Sequence, residues 1–525
     1  MPRTSLQKGR ACTSCRRRKI KCDAKQPTCG PCIEVSSHCE YSEDRATQIR
    51  SLEDEISVLE ARLRDLESGG NGSKGNVDLQ QTGSEVYLYP PTYTSDQVSP
   101  SGFEDLPPMI HRMLMHNFLH KSCSLGFFLH KERFRNSVLQ SVDTSTLAPT
   151  CALLNTSYLW GMHLSSSGNP PEQEATLVSR ALQSSAHALL EEHPQKVIQC
   201  IQSEVLLANY FYRADKILQA RYHGTSASSL VLSSGSHRIR TPSPEASGQI
   251  TVSLNLWVPP TDAVEEGERI NEFWTVLILD TFWNTIYGIP SSIPYTTTGC
   301  RVDSPWPRMM EDYTESPFHP DFRSSQTITR FLSGVTDNNN SPKAILAKAA
   351  VLFERATFAG LEFKSNPGCQ EPLANFNSLD NIIQRFIENI PPIERQSKIP
   401  LDYQLCMCSL AHASDIQLHR PFAVESNISR TRILKAADAI VELIDLWASE
   451  LDFIESMLAV IWAITCRVFI DESVRLQCME ALSHRSDTQT SLHASCEHIM
   501  TIMEAHPFPL MRNQLSQIKQ ALAAT

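Results

Sequence analysis

Six cysteines, Cys12, Cys15, Cys22, Cys29, Cys32 and Cys39, are spaced C-x2-C-x6-C-x6-C-x2-C-x6-C, and a basic run, Arg16-Arg17-Arg18-Lys19-Ile20-Lys21, lies between the second and third. A C-x2-C pair lets both thiolates turn onto one ion, as a tetrahedral zinc site requires. Six sulfurs do not divide into two sets of four, so two zinc ions reach four-coordination only if two thiolates bridge both metals. The unit C-x2-C-x6-C occurs twice, at 12–22 and 29–39. That repeat suits a compact binuclear cluster with one short helix after each C-x2-C. A disulfide framework is the bland alternative; the chain shows no secretory signal, and a reducing compartment favours metal thiolates.

A zinc module that binds protein rather than nucleic acid is the stronger rival, and charge argues against it. Residues 1–39 hold nine Lys or Arg against two acids, a formal +7. Two zincs and six thiolates lower this to about +5. The rest of the chain carries 38 basic and 56 acidic residues, −18. Such asymmetry places the polyanion-binding surface in the first forty residues.

With these residues in view, the segment resembles the fungal binuclear zinc cluster (Zn2Cys6) transcription factors. All six cysteines, the basic run and Pro27 two residues before Cys29 carry the likeness. The resemblance implies two zinc ions per chain, with Cys12 and Cys29 bridging. It also implies that the C-terminal end of the first short helix enters the DNA major groove, where the third and fourth residues after the second cysteine, Arg18 and Lys19, read a CGG-type triplet. Arg and Lys are the common donors to guanine O6 and N7. Arg10, Arg16, Arg17 and Lys21 are placed to contact phosphates, which orients the head without specifying sequence.

Dimerisation is expected just downstream. Ile49, Leu52, Ile56, Leu59, Leu63 and Leu66 recur at spacings 3, 4, 3, 4, 3, an a/d seam with Ile at two of three a positions and Leu at every d. The seam spans 18 residues, about 27 Å of helix, short of the three to four heptads of an unambiguous coiled coil. An amphipathic helix packed on the rest of the chain is the other reading. In a parallel homodimer Arg62 would meet Glu67 of the partner strand and Glu55 would meet Glu60. One attraction and one repulsion predict a weak homodimer or a tolerated heterodimer with a related factor.

These elements imply an order along the chain: a DNA-binding domain at 8–41, a linker and dimerisation helix at 42–67, and a disordered linker at 68–104 that opens Ser-Gly-Gly-Asn-Gly-Ser. The remainder has helical periodicity. Ile345, Ala349, Leu352 and Ala356 fall on one face, as do Ile433, Ala437, Ile440, Val441, Ile444 and Trp447. The fold class is therefore mainly α, a small zinc cluster followed by a large all-α body. The most apolar stretches, Phe273–Leu279 and Met457–Cys466, are too short to span a bilayer, and no membrane partner is expected.

Five body segments resemble the fungal transcription-factor regulatory region, also called the middle homology region: Phe127-Phe128-Leu129-His130, the run 201–223, the run 268–280, Val302-Asp303-Ser304-Pro305-Trp306-Pro307, and Leu418-His419-Arg420-Pro421-Phe422. Their order extends the likeness over 105–425, with 426–525 as a helical continuation. The stretch 234–262 departs from the pattern and reads as a surface insertion carrying two candidate proline-directed phosphorylation sites, Thr241-Pro242 and Ser243-Pro244.

No G-x-x-x-x-G-K-[ST], H-E-x-x-H or G-x-S-x-G pattern occurs, so the common phosphate-cradle, zinc-protease and serine-nucleophile signatures are missing. Cys406, Cys408 and Cys466 read as small buried hydrophobes. Asp280 reads as a hydrogen-bonded helix residue rather than a general base, and Trp274, Trp283, Tyr210 and Phe211 read as core rather than a ligand box. The expected function is a nuclear, sequence-specific DNA-binding regulator of RNA polymerase II transcription, with double-stranded DNA and the transcriptional machinery as partners and no enzyme activity. The alternative keeps the body as a ligand-sensing or scaffolding module whose head binds a protein.

Overall fold

The computed structural model describes residues 12–23, 25, 28–35, 39, 108–140, 148–165, 171–242, 259–297, 300–337, 339–397, 399–478 and 485–524. The seam at 49–66, the linker at 68–104, Arg10, Pro27 and Ser243-Pro244 lie outside the described residues. The chain divides into two units, 1–97 and 98–525. Each is built on a different kind of core.

In the first unit two five-residue helices, α1 (Thr13–Arg17) and α2 (Gly30–Glu34), each follow the first cysteine of a C-x2-C pair. The second cysteine of each pair thereby falls within the helix, on the face that turns back to the first. So short a helix is unstable alone. Its support is the sulfur cluster.

In the second unit the apolar periodicity becomes a stack of helices, with no strand among the described residues. They run α3 (Pro108–Lys121), α4 (Lys131–Gln140), α5 (Cys151–His163), α6 (Pro171–His187), α7 (Lys196–Arg213) and α8 (Ile217–Ser233). The long α9 (Ala263–Ile286), short α10 (Met310–Glu315) and α11 (Thr327–Leu332), and α12 (Pro342–Ser365) follow. Then come α13 (Gln370–Glu388), α14 (Leu401–His419), α15 (Asn427–Trp447), α16 (Ser456–Cys478), α17 (Arg485–Ala505) and α18 (Pro509–Ala523). None of the described helices is long and apolar enough to cross a membrane.

Neighbours in sequence pair as hairpins, α5 with α6 and α7 with α8, while α12 packs along α14 and crosses α9. Two glycines permit the closest crossings. A Cβ at Gly161 would lie 2.1 Å from the Leu114 carbonyl oxygen of α3, and one at Gly360 would lie 2.8 Å from that of Leu418 in α14. One continuous core runs from Leu114 in α3 to Ile518 in α18. Ile345, Ala349, Leu352 and Ala356 are buried on α12, and Ile433, Ala437, Ile440 and Ile444 on α15, with Val441 and Trp447 half-buried, as the periodicity requires.

The segments that carried the resemblance turn out to be the polar ties of this core. Phe128 N–H donates to Gln202 Oε1 (2.7 Å) and His130 N–H to Glu268 Oε1 (2.8 Å), fastening the loop after α3 to α7 and α9. Burial pushes the Glu268 carboxyl up to about 7. Asp303, almost fully buried, accepts from Thr241 Oγ1 (2.7 Å), Arg301 Nη2 (2.7 Å) and the Gln326 N–H (2.9 Å). Trp274 Nε1 donates to the Pro305 carbonyl (2.7 Å) and its ring stacks on Trp306 at 4.4 Å. Arg432 joins Asp380 and Asp415, each at 2.7 Å, beside His419.

One sequence expectation fails here. Residues 236–239 are not a surface insertion, because Ser236, His237 and Ile239 are buried. The His237 carbonyl accepts from the N–H groups of Asp303 (2.8 Å) and Ser304 (3.1 Å), and the Ile239 N–H donates to Ser304 Oγ (3.1 Å). A polar, serine-rich stretch is buried once a distant segment supplies partners for its backbone.

Candidate metal centre and nucleic-acid interface

Cys12, Cys15, Cys29 and Cys32 bring their sulfurs within 4.8 Å of one another. Cys12 Sγ lies 3.7 Å from both Cys29 Sγ and Cys32 Sγ, and Cys15 Sγ lies 3.6 Å from Cys29 Sγ and 3.9 Å from Cys32 Sγ. Two thiolates on one tetrahedral zinc at about 2.3 Å stand about 3.8 Å apart, whereas bonded disulfide sulfurs stand about 2.05 Å apart. All six cysteines are free. The donor set thus has the spacing of tetrahedron edges, and the disulfide reading fails on distance.

Cys22 completes one side, its sulfur within 4.8 Å of Cys29 Sγ, and Cys39 the other, its sulfur accepting the Cys29 N–H at 3.3 Å. Cys29 therefore neighbours sulfurs from both halves of the repeat, and both Cys12 and Cys29 are fully buried. Burial, together with the crowd of neighbouring sulfurs, pushes the Cys15 thiol up to about 12. A cation entering this cluster must displace protons, which couples its binding to pH.

Around the sulfurs the backbone sets the direction of the basic run. The Ile20 N–H donates to the Cys15 carbonyl at 3.1 Å, and Lys19 between them has φ +53°. This is the Schellman closure of α1 with lysine where glycine is usual, a conformation that costs a side-chain-bearing residue about 1 kcal/mol. The turn returns the chain to the cluster at the buried Cys22, while Arg17, Arg18, Lys19, Ile20 and Lys21 stay exposed. Arg16 lies in α1, though its side chain is not among those described.

Asp23 was not singled out in the sequence, and it holds the second helix. Its carboxylate accepts the Gly30 N–H at 3.1 and 3.2 Å, at the positive end of α2. A Cβ at residue 30 would meet Asp23 Oδ2 at 2.9 Å, so glycine after Cys29 suits this approach. The sequence signal was there: an acid directly after a metal-spaced cysteine, and a glycine directly after another.

The model of the fungal Zn(2)-Cys(6) binuclear cluster domain matches residues 10–48, and that of the fungal specific transcription factor domain matches residues 115–444. The chain belongs to the fungal-specific, zinc-cluster transcription factor family. Its cofactor is zinc, two ions per chain, and the six sulfurs have the spacing to hold them. A citrinin biosynthesis transcriptional activator of Monascus ruber is 39% identical over 61 residues, covering 10% of this chain and 12% of that protein. A second, from Monascus purpureus, is 39% identical over 61 residues and is covered over 11% of its length. A sorbicillinoid biosynthetic cluster transcription factor of Hypocrea jecorina is 33% identical over 99 residues, 19% of this chain and 14% of that one. The matches thus span well under a fifth of these relatives. No solved structure matches the chain.

Family and relatives are transcription factors, not enzymes, and the former enzyme candidates have structural employment. Asp280 accepts from Asn284 Nδ2 (2.8 Å) and the Ser292 N–H (2.8 Å), tying the end of α9 to the loop beyond it. Cys406, Cys408 and Cys466 are buried among apolar side chains, as are Trp274, Trp283, Tyr210 and Phe211.

Proposed function

We propose that this zinc-cluster transcription factor binds double-stranded DNA through the head, reading CGG-type half-sites with Arg18 and Lys19. The observation that carries the reading is the left-handed Lys19 at the end of α1, which keeps a basic run exposed while its flanking cysteines stay in the cluster. In this reading Cys12, Cys15, Cys22, Cys29, Cys32 and Cys39 hold the zincs, with Cys12 and Cys29 bridging. Zinc supplies cross-linking of a segment too small to form its own core. Arg10, Arg16, Arg17 and Lys21 neutralise phosphates, and Arg18 and Lys19 donate to base edges in the major groove.

The domain order of the proposal is 8–41 for the head, 42–67 for linker and dimerisation helix, 68–104 for tether, 105–425 for the regulatory body and 426–525 for its helical continuation. The protein acts in the nucleus on RNA polymerase II transcription, as a homodimer or a heterodimer through Ile49, Leu52, Ile56, Leu59, Leu63 and Leu66. Leu59→Pro breaks a d position and the helix at once. It should convert two-site binding into weak single-site binding, because linked heads gain effective concentration for the second half-site.

Fluorescence anisotropy of the full chain on CGG-containing and scrambled duplexes, across a salt series, tests the proposal. Binding that favours the CGG duplex and weakens steeply with salt supports it. Equal affinity for both duplexes removes sequence recognition, and no binding to either favours a head that binds protein.

A further inference from the structure

Arg238, Arg240, Arg269 and Arg323 line one open cavity of about 300 Å³ in the body. This runs against the charge of the chain, which beyond residue 39 is −18. Two of the four cations are drawn together by one acceptor. Arg240 Nη1 donates to the Pro320 carbonyl at 3.0 Å and Arg323 Nη1 donates to the same oxygen at 2.7 Å. The two nitrogens are therefore less than about 6 Å apart, a like-charge approach that an anion would relieve.

Carboxylates offset only part of this charge. Glu266 takes Nε and Nη2 of Arg240 at 2.5 and 2.8 Å, and Glu265 takes Arg269 at 2.6 Å. Among the described residues no carboxylate pairs with Arg238 or Arg323. The backbone points the same way: Arg240 sits at φ +68°, outside the usual region for a residue with a side chain. Such conformations persist where surrounding bonds over-determine them, and they concentrate at binding sites. Here the bonds are those of the Arg240 guanidinium itself, which also donates to the His319 carbonyl at 2.9 Å.

We propose that this cavity binds a phosphate group. Guanidinium forks match phosphate oxygens bidentately, and three of the four, Arg238, Arg240 and Arg269, are half-buried and so interact more strongly than solvated cations, with Arg323 exposed at the rim. The phosphate has two conceivable sources, a phosphorylated small molecule from solution or an ester on Thr241, which lines the cavity and precedes Pro242. In the second case a kinase moves the γ-phosphoryl of a nucleoside triphosphate onto Thr241 Oγ1. The bond from that phosphorus to the bridging oxygen breaks, the diphosphate leaves and the hydroxyl proton is released. The small molecule is the favoured source, because Thr241 Oγ1 donates to the buried Asp303 carboxylate at 2.7 Å and an ester there would face that negative charge.

The test uses the zinc-loaded full chain and calorimetric titration with inorganic phosphate and pyrophosphate, at an ionic strength matched with chloride. Saturable one-site binding is expected. Arg238→Ala and Arg323→Ala should each raise Kd about tenfold, the weight of one charge-assisted hydrogen bond. Lys19→Ala, in the head, should leave the isotherm unchanged, which separates this site from the DNA-binding reading. Melting temperature and zinc content confirm that the variants fold. If the wild type takes up neither anion, mass spectrometry of chain treated with a proline-directed kinase decides the source. Phosphate on Thr241 that raises the melting temperature of wild type but not of Arg238→Ala assigns the intramolecular source. No anion binding and no such effect, or binding that both arginine variants retain, overturns the proposal.

Discussion

Among the described residues of the head, the buried hydrophobic side chains are cysteines turned toward one another; in the body they are Trp160, Trp274, Trp283, Trp462 and a crowd of aliphatic residues. The difference reflects size. A segment of about forty residues cannot bury enough apolar surface to offset the entropy of ordering itself, and small domains of this kind depend on metal. The head even leaves Ile20, Ile33 and Val35 exposed. The body has instead an apolar core continuous from α3 to α18.

Removing zinc is the harshest way to break this comparison. A strong chelator should unfold the head and abolish DNA binding while the body keeps its helical circular dichroism and melting temperature. Elemental analysis should count two zincs per chain beforehand. One zinc per chain, or a head still protected from proteolysis in chelator, would remove the binuclear cluster.

The converse change is Trp274→Ala, which deletes a buried ring stacked on Trp306 and its hydrogen bond to Pro305. It should destabilise the body by about 3–5 kcal/mol, measured by denaturant unfolding, with zinc content unaltered. Loss of zinc in that variant would mean that the two units do not fold independently.

Within the head, Lys19→Ala should lose roughly 1–3 kcal/mol of discrimination at the triplet. Arg16→Ala should instead weaken all duplexes about equally and flatten the salt slope. Equal losses on specific and random DNA for Lys19→Ala would reverse the role assignment.

Acidity should sharpen the contrast most gently, by acting in opposite directions. Burial pushes the Glu272 carboxyl in α9 from the ordinary 4.5 to about 8. A carboxyl whose folded value is raised holds its proton more tightly in the folded chain, so its contribution to stability is greatest at low pH. That contribution declines as pH rises from about 4.5 to about 8 and is level beyond. Glu272→Gln should flatten that part of the body's stability profile. The head runs the other way, because its thiols must lose protons to bind zinc, so acid releases the metal. Melting curves and zinc retention from pH 5 to 8 read both trends; a Glu272→Gln profile parallel to wild type would sink the first.

Metal chemistry was legible in the linear chain because it is local. Two cysteines three residues apart must share a turn, and a basic run enclosed by such pairs is held close to the cluster whatever the rest of the chain does. The helical class was legible for the same reason, since a 3.6-residue period is a property of neighbouring residues. What only the tertiary structure decided depends on partners that no local spacing rule pairs. Ser236, His237 and Ile239 looked like surface because the stretch is polar and serine-rich, and they are buried because Asp303 and Ser304 supply N–H donors for the His237 carbonyl and a hydroxyl acceptor for the Ile239 N–H. Asp23 acquired its role only when the cluster brought Gly30 beside it. Arg240 and Arg323 share a carbonyl, and a cavity, because the chain returns past Pro320, a path that no periodicity in either segment encodes.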